Sequence, residues 1–254
     1  MNFVTLLLRE IKYFTNFQNK MYQFLLFFQP LLFLAIIYFL REVRGDAESG
    51  QFVVATALLS MWTYVLYSSG SALTSLKWNE TLTLLIAAPT SLFQVILTKT
   101  IANSFIALIS MILSFIYGRF IFQFPIGIHN YALFFIAVLV LLISLSVVGL
   151  ILAAVFTISE NVYSYQNLML TPVLLLCGVF IPVDQFPSLL QPIAYAIPMT
   201  WGIQSVYQAL EMSEAVYFSM SVTLGVSFVF FVLAFLVIRK MEFLLRKSGK
   251  MGAI

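Results

Sequence analysis

Residues that could carry out covalent chemistry are few and far apart in this chain. His129 is the single histidine and Cys177 the single cysteine. With no second ligand in view, His129 is expected to be a surface residue and not a metal ligand, while Cys177 lies in an apolar run typical of an inert packing thiol. The sequence has neither a G-x-x-x-x-G-K-[ST] phosphate loop nor a nucleophile, histidine and acid set. We therefore expect a protein that is not an enzyme and that holds no metal or cofactor of its own.

Three residues with polar or aromatic side chains interrupt long apolar stretches and are better suited to recognition than to catalysis. Gln29 precedes Pro30, and a polar amide in hydrocarbon must face a partner or water. It could line a transport path or pack against a neighbouring helix. Trp62 and Tyr67 could likewise pack against another helix or form a substrate-facing stripe. We take Gln29, Trp62 and Tyr67 as candidate path residues.

Residues 171–208 are apolar enough for a membrane and rich in proline, which removes helix hydrogen bonds. The prolines of this stretch are Pro172, Pro182, Pro187, Pro192 and Pro198. Irregular backbone at membrane depth must be buried in protein or line a wet cavity. The pattern predicts a span that ends near Pro182, an outer gate at Val179, Phe180 and Pro182, and re-entrant external helices over about 183–208.

The elements around these residues are those of a polytopic membrane protein. Of the 254 residues, 62% are hydrophobic and 9% charged, and the mean hydropathy is +1.02, more apolar surface than a soluble core of this size could hide. We expect an all-α fold with one transmembrane domain over 1–254 and an amphipathic interfacial helix over 2–16, which serves as an anchor or as a lever. The six predicted spans are about 21–40, 52–71, 95–117, 132–156, 162–181 and 216–238.

The distribution of basic residues predicts the orientation of the chain. With six spans, every lysine and arginine except Arg41, Arg44 and Arg119 falls on one side. By the positive-inside rule, both termini are therefore cytosolic in a bacterial-type plasma (inner) membrane. No charge run suggests a nucleic-acid partner.

The longest cytosolic segment, about residues 75–99, predicts a short helix over about 78–89. Asn79 could cap this helix, Glu80 favours its positive N-terminal end, and Pro89 ends it. Its leucines give it more apolar surface than an ordinary exposed turn carries, and that surface needs something to bury against.

Two segments resemble those of permeases in the type 2 ABC exporter family. NETLTLLIAAPTSLFQVILTK (79–99) resembles that family's acidic-start, leucine-rich, proline-terminated segment. GVFIPVDQFPSLLQPIAYAIPMTW (178–201) is similar to its signature before the last span. The resemblance extends over nearly the whole chain, including length, six spans and the amphipathic start.

The resemblance implies a dimer, formed with itself or with a close permease paralogue, that recruits two separate ATP-binding subunits. ATP and Mg would be bound by those partners. Helix 78–89 would be the coupling helix that docks into a groove of the ATPase, the alternative being a helix that rests on this protein's own membrane surface. The residues implied in coupling are Trp78, Glu80, Leu82, Leu85 and Pro89.

The function implied is that of the membrane-spanning subunit of an ATP-driven exporter. Its substrate would be an amphipathic drug, lipid or lipid-linked molecule that leaves the cytosol or inner leaflet. Two alternatives remain open, namely a polysaccharide or glycolipid exporter permease of the same family, and a passive lipid scramblase or channel without an ATPase. Membrane lipids are expected partners in each case.

Overall fold

The computed structural model describes residues 3–14, 20–44, 49–70, 91–125, 127–156 and 162–248, and all regular secondary structure within these ranges is helical. In chain order the elements are α1 (Phe3–Phe14), α2 (Lys20–Gln23), a π-helical turn (Phe24–Phe28), α3 (Gln29–Arg44), α4 (Ser49–Gly70), α5 (Leu92–Phe120), α6 (Tyr131–Phe156), α7 (Val162–Leu176), a 3-10 turn (Val183–Gln185), α8 (Gln191–Ala196), α9 (Pro198–Glu211) and α10 (Val216–Ser248).

Five helical segments of the described chain are long and apolar enough to cross a membrane, so this is a multi-pass membrane protein. They are Lys20–Phe39, Gln51–Gly70, Leu92–Phe120, Tyr131–Val155 and Val216–Leu244. These segments overlap five of the six predicted spans. The helix within the remaining one, α7, has 15 residues and is roughly 22 Å long, against a hydrocarbon core of about 30 Å. The sixth span therefore stays a prediction.

The first span accommodates Pro30 through a π-helical turn. Proline lacks an N–H, and its ring clashes with the carbonyl four residues earlier, here that of Leu26. The chain widens immediately before the proline, and the Gln29 N–H donates to the Phe24 carbonyl, five residues back. One widened turn therefore accommodates the proline, and helical backbone continues on both sides of this turn. Such π-turns occur frequently at functional sites.

Helix α7 ends at Leu176 and not near 181, because the backbone turns at Gly178. The φ angle of Gly178 is +77°, a conformation that glycine adopts without steric cost. A Cβ there would also lie 3.0 Å from Val183 Cγ2. The last five residues of the predicted 162–181 helix therefore form a turn that leads into the 3-10 turn.

Helix α4 lies at the centre of the bundle, where it packs against α3, α5, α6 and α7. Two close approaches between helices depend on small residues. Gly149 of α6 lies against Ser69, where an added Cβ would be 3.0 Å from the Ser69 side chain. Gly202 of α9 lies against α6, where an added Cβ would be 2.9 Å from Leu141 Cδ1 and 3.1 Å from Ser144 Oγ. Close packing of this kind is typical of membrane helices.

At one end of the bundle, called here the α1 end, α1 packs along α5. Leu6, Leu7 and Ile11 are partly buried on this side, while Arg9 and Lys12 are exposed, as expected for an amphipathic helix. The predicted coupling helix over 78–89 lies outside the described residues. So do all of its candidate coupling residues, namely Trp78, Glu80, Leu82, Leu85 and Pro89.

Candidate functional site

At the other end of the bundle, a cavity of about 330 Å³ opens between the start of α4, the turn after α7 and helices α8 and α9. We call this the α9 end. The residues that line the cavity are Gln51, Phe52, Ala55, Cys177, Gly178, Val179, Phe180, Pro182, Val183, Asp184, Tyr195, Thr200, Gln204, Tyr207, Gln208 and Glu211. Its volume falls within the range of small-molecule pockets, about 300–1,000 Å³.

One face of α9 supplies much of the polar lining. Thr200, Gln204, Gln208 and Glu211 follow one another at spacings of four, four and three residues, which places them on the same side of a helix. The Oε1 atoms of Gln204 and Gln208 are buried, and neither has a hydrogen-bond partner within the described residues. Each buried acceptor left unpaired costs about 1–3 kcal/mol. This face of α9 therefore carries two buried hydrogen-bond acceptors that have no donor within the described residues.

The break between α8 and α9 is held by side chains that return to α8. Pro198 stands in the first turn of α9, where its missing N–H costs nothing. Thr200 Oγ1 donates to the Ala194 carbonyl at 2.6 Å, and Trp201 Nε1 donates to the Tyr195 carbonyl at 2.8 Å. These bonds satisfy carbonyls at the end of α8 and fix the direction in which α9 leaves.

Both cavity phenols donate their protons within the protein. Tyr207 Oη donates to the Val179 carbonyl at 2.7 Å, which ties α9 to the turn after α7. Tyr195 Oη donates to the Asp184 carboxylate. Burial, and then the hydrogen bond to and charge of Asp184, raise the pKa of Tyr195 to about 12. The Tyr195 phenol is therefore neutral at physiological pH and stays a donor to Asp184.

The charges at the cavity are of one sign. Asp184 and Glu211 are acidic, and none of the described lining residues is basic. Both carboxylates are exposed at the rim, where solvent screens them. The cavity combines this acidic rim with a wall that includes Phe52, Ala55 and Val183.

The three predicted outer-gate residues come together in this cavity. Val179 is buried, whereas Phe180 is 45% exposed and Pro182 is exposed. All three line the cavity, and the Val179 carbonyl is fixed by Tyr207. The structure thus groups them beside the polar face of α9, and a gating role remains a prediction.

The predicted path residues do not line this cavity. Trp62 is completely buried in the core around α4, and Tyr67 is partly buried against the same core. Packing, one of the two roles expected for Trp62, accounts for that burial. Gln29 is partly buried, and its Oε1 is another acceptor without a partner within the described residues.

Sequence reasoning missed the amide side chains of the cavity, namely Gln51, Gln204 and Gln208. A signal was present, because polar residues recur every three or four positions from Thr200 to Glu211 within an otherwise apolar helix. Gln51 carries no such signal, since it lies at the start of α4 beside a polar loop. His129 also has a contact that its sequence did not predict, with Nδ1 3.3 Å from the Leu210 carbonyl at the end of α9.

At the α1 end, by contrast, buried charges have partners. Lys99 Nζ lies 3.5 Å from Glu10 Oε2, with the two side chains 8% and 16% exposed. Glu242 Oε2 of α10 accepts from the Leu92 N–H at 3.1 Å and from Ser91 Oγ at 3.3 Å. This carboxylate caps the start of α5.

Comparison with known proteins shows the family. The sequence matches the family described as "ABC-2 type transporter" over residues 1–211. This chain belongs to the ABC-2 type transporter family. That membership places it among the membrane components of ABC transporters, and it agrees with the all-helical, multi-pass fold.

Two curated relatives of this ABC-2 family member carry the name "Probable multidrug ABC transporter permease YbhS". They come from Escherichia coli strain K12 and Escherichia coli O157:H7, and each is 26% identical over 188 residues, which is 70% of this chain and 47% of the relative. The chain therefore spans about half the length of the curated relatives it matches.

Proposed function

We propose that this chain is the membrane-spanning subunit of an ATP-driven exporter that moves an amphipathic drug, lipid or lipid-linked molecule out of the cytosol or inner leaflet. The family match over residues 1–211 carries the proposal. The name of the curated relatives, a probable multidrug permease, favours an amphipathic drug among these substrates.

In the proposed complex, two separate ATP-binding subunits bind ATP and Mg and dock on helix 78–89. Their closure moves that helix and α1, and the spans shift from an inward-open to an outward-open or collapsed state. The ion pair between Glu10 and Lys99 supports a lever role for α1, because it couples α1 to α5. Gln29 lies on the path, and Phe180 belongs to the outer gate.

The proposed assembly contains two permease chains, either identical or closely related, with a sixth span that includes α7 and with both termini in the cytosol. The pairing of two chains is supported by the first span and α10, since both expose many large apolar side chains. Lipid or a second permease chain would cover those faces. A passive scramblase or channel needs no ATPase, and it is the outcome to be excluded.

Coupling is tested by a charge placed on the apolar face of helix 78–89. In Leu85→Asp, we expect the ATP-binding subunit to stop co-purifying and substrate-stimulated ATP hydrolysis to be lost. The matched control is Thr83→Asp, which adds the same charge two residues away, on another side of the helix, and should assemble normally. Unchanged assembly and hydrolysis in Leu85→Asp would show that the helix does not dock.

Transport itself is measured in proteoliposomes with and without the ATP-binding subunit. Movement of a fluorescent amphiphile that requires both the subunit and ATP supports the exporter, whereas equal movement without them favours the passive function. Gln29→Ala should slow ATP-dependent transport, while Gln94→Ala, at an exposed position of α5, should not. Normal export by Gln29→Ala at normal expression would remove Gln29 from the path.

A further inference from the structure

Amide and carboxylate side chains give the cavity at the α9 end several hydrogen-bond acceptors. The hydroxyl protons of Tyr195, Thr200 and Tyr207 are all committed to acceptors within the protein. The amide oxygens of Gln204 and Gln208 lack donors within the described residues. A ligand with N–H groups would pair with these acceptors, and the glutamine amides supply N–H donors of their own.

The two glutamine oxygens can serve such a ligand without the loss of a described contact. Both side chains line the cavity, and each Oε1 is buried. Rotation of the terminal amide exchanges the positions of its oxygen and nitrogen, and no described hydrogen bond to that oxygen is broken. The torsion concerned, χ3, is broad and roughly two-fold, so the rotation meets little intrinsic resistance.

The charge and shape of the cavity further restrict the chemical class of the ligand. Asp184 and Glu211 make the rim acidic, and the described lining contains no basic side chain. Phe52, Phe180 and Val183 add apolar and aromatic surface, and aromatic faces attract cations. A volume of about 330 Å³ suits a single small molecule or one end of a longer one.

We propose that this cavity binds the protonated amino group of an amphipathic monocation, with the N–H groups directed to Gln204, Gln208 and Glu211 and the apolar part against Phe52 and Phe180. Binding at this site does not depend on ATP. That the ligand is also the exported substrate rests on the function proposed above.

The test is equilibrium binding of dansylcadaverine, a fluorescent amphiphile with a primary amine, to the purified full chain in phosphatidylcholine nanodiscs. The matched ligand is its N-acetyl derivative, which keeps the fluorophore and chain but has no charge. We expect saturable binding of the amine and at least about fivefold weaker binding of the acetylated form. Equal affinities, or no saturable binding of the amine, would overturn the proposal.

Two variants locate the binding, and one serves as control. Glu211→Gln and Gln208→Leu should each weaken amine binding about fivefold and leave binding of the acetylated form unchanged. Glu214→Gln removes an exposed carboxylate that lies three residues beyond Glu211 and does not line the cavity, and it should bind as the wild type does. Equal losses in Glu214→Gln and Glu211→Gln would place the site elsewhere.

A phospholipid with a primary ammonium headgroup shares the chemistry of the amine ligand. Binding of dansylcadaverine is therefore repeated in nanodiscs that contain phosphatidylethanolamine. If this lipid competes with the amine, the natural ligand is a lipid headgroup, and if it does not compete, the ligand is a free amine. Transport separates this inference from the proposed function. ATP-dependent export without amine binding overturns the inference alone, and amine binding without ATP-dependent export overturns the exporter alone.

Discussion

The two ends of the bundle differ in the buried polar groups that they hold, since ionic contacts stand at one end and unpaired cavity amides at the other. At the α1 end, the ammonium of Lys99 lies beside Glu10, and the carboxylate of Glu242 accepts from the start of α5 and from Arg246 at 2.7 Å. At the α9 end, by contrast, the amide oxygens of Gln204 and Gln208 stay unpaired within the described residues.

The difference indicates at which end the buried charges find their partners within one chain. Paired buried charges fix the position of one helix against another, because the loss of either partner leaves a charge in a low-dielectric setting. Unpaired acceptors beside a cavity can form hydrogen bonds with water or with a ligand that enters the cavity. The α1 end therefore behaves as a structural joint, and the α9 end as a site for a ligand.

The largest expected effect comes from breaking the joint. Glu10→Leu removes the carboxylate from a buried ammonium, and we expect it to lower the free energy of unfolding by about 3 kcal/mol. The double variant Glu10→Leu, Lys99→Met should recover most of that loss, since it removes both charges. Denaturant titration of the purified chain in detergent measures these differences.

Lys240→Met is the control for this pair, because it removes a positive charge from an exposed position of α10 at the same end of the bundle. It should change the free energy of unfolding by less than about 0.5 kcal/mol. If the single and double variants at Glu10 and Lys99 were equally unstable, lost packing and not loss of the ion pair would explain the result.

A smaller effect is expected where α9 is fixed to the bundle. Gly202→Val places side-chain atoms where Leu141 and Ser144 of α6 now lie. Leu141 is buried and cannot move away freely, so we expect a loss of about 2 kcal/mol in the free energy of unfolding. Amine binding should weaken as well, because the opposite face of α9 lines the cavity.

Gly225→Val in α10 is the matched control, since a Cβ at Gly225 has no heavy atom within 4 Å in the described chain. Its stability should be unchanged or slightly higher, as expected for replacement of glycine within a helix. A Gly202→Val protein as stable as wild type would mean that α9 is loosely held, and the contrast between a fixed α9 and an open cavity would fail.

The spans were the part of the fold that the sequence predicted best. Long apolar helices have few alternatives in a bilayer, and four of the six predicted spans appear within three residues of their expected bounds. A fifth begins at Val216 as expected but extends six residues beyond its predicted end. The end of α7 was misplaced by five residues, because a single positive φ angle at Gly178 decides it. Hydropathy carries no information on such a turn.

The candidate site was predictable only in part. The prolines located the irregular segment, and with it Val179, Phe180 and Pro182. The partners of Tyr195 and Tyr207 could not be deduced, because those contacts depend on how α8 and α9 fold back on the turn after α7. Likewise, the sequence does not indicate that Glu10 and Lys99, 89 positions apart, form a pair.

The smallest effect concerns Tyr195, whose hydrogen bond to Asp184 helps to shape the cavity rim. Its pKa is raised from 10.0 to about 12, so the folded state keeps the phenol proton at a pH where the unfolded chain begins to lose it. The stabilisation is fully present below pH 10 and is lost as the pH rises through about 12. Tyr195→Phe should cost about 1 kcal/mol at neutral pH.

Unfolding of wild type and Tyr195→Phe as a function of pH checks this, with the difference between them expected to shrink over that alkaline window. Asp184→Asn keeps an acceptor at the same place but removes its charge, one of the causes of the raised pKa of Tyr195. Its alkaline loss should therefore still begin near pH 10 but be smaller and end at a lower pH than in wild type. A difference between wild type and Tyr195→Phe that stays constant across the window would mean that the phenol is not held by Asp184. The cavity rim would then lack a fixed contact like the ion pair between Glu10 and Lys99 at the α1 end.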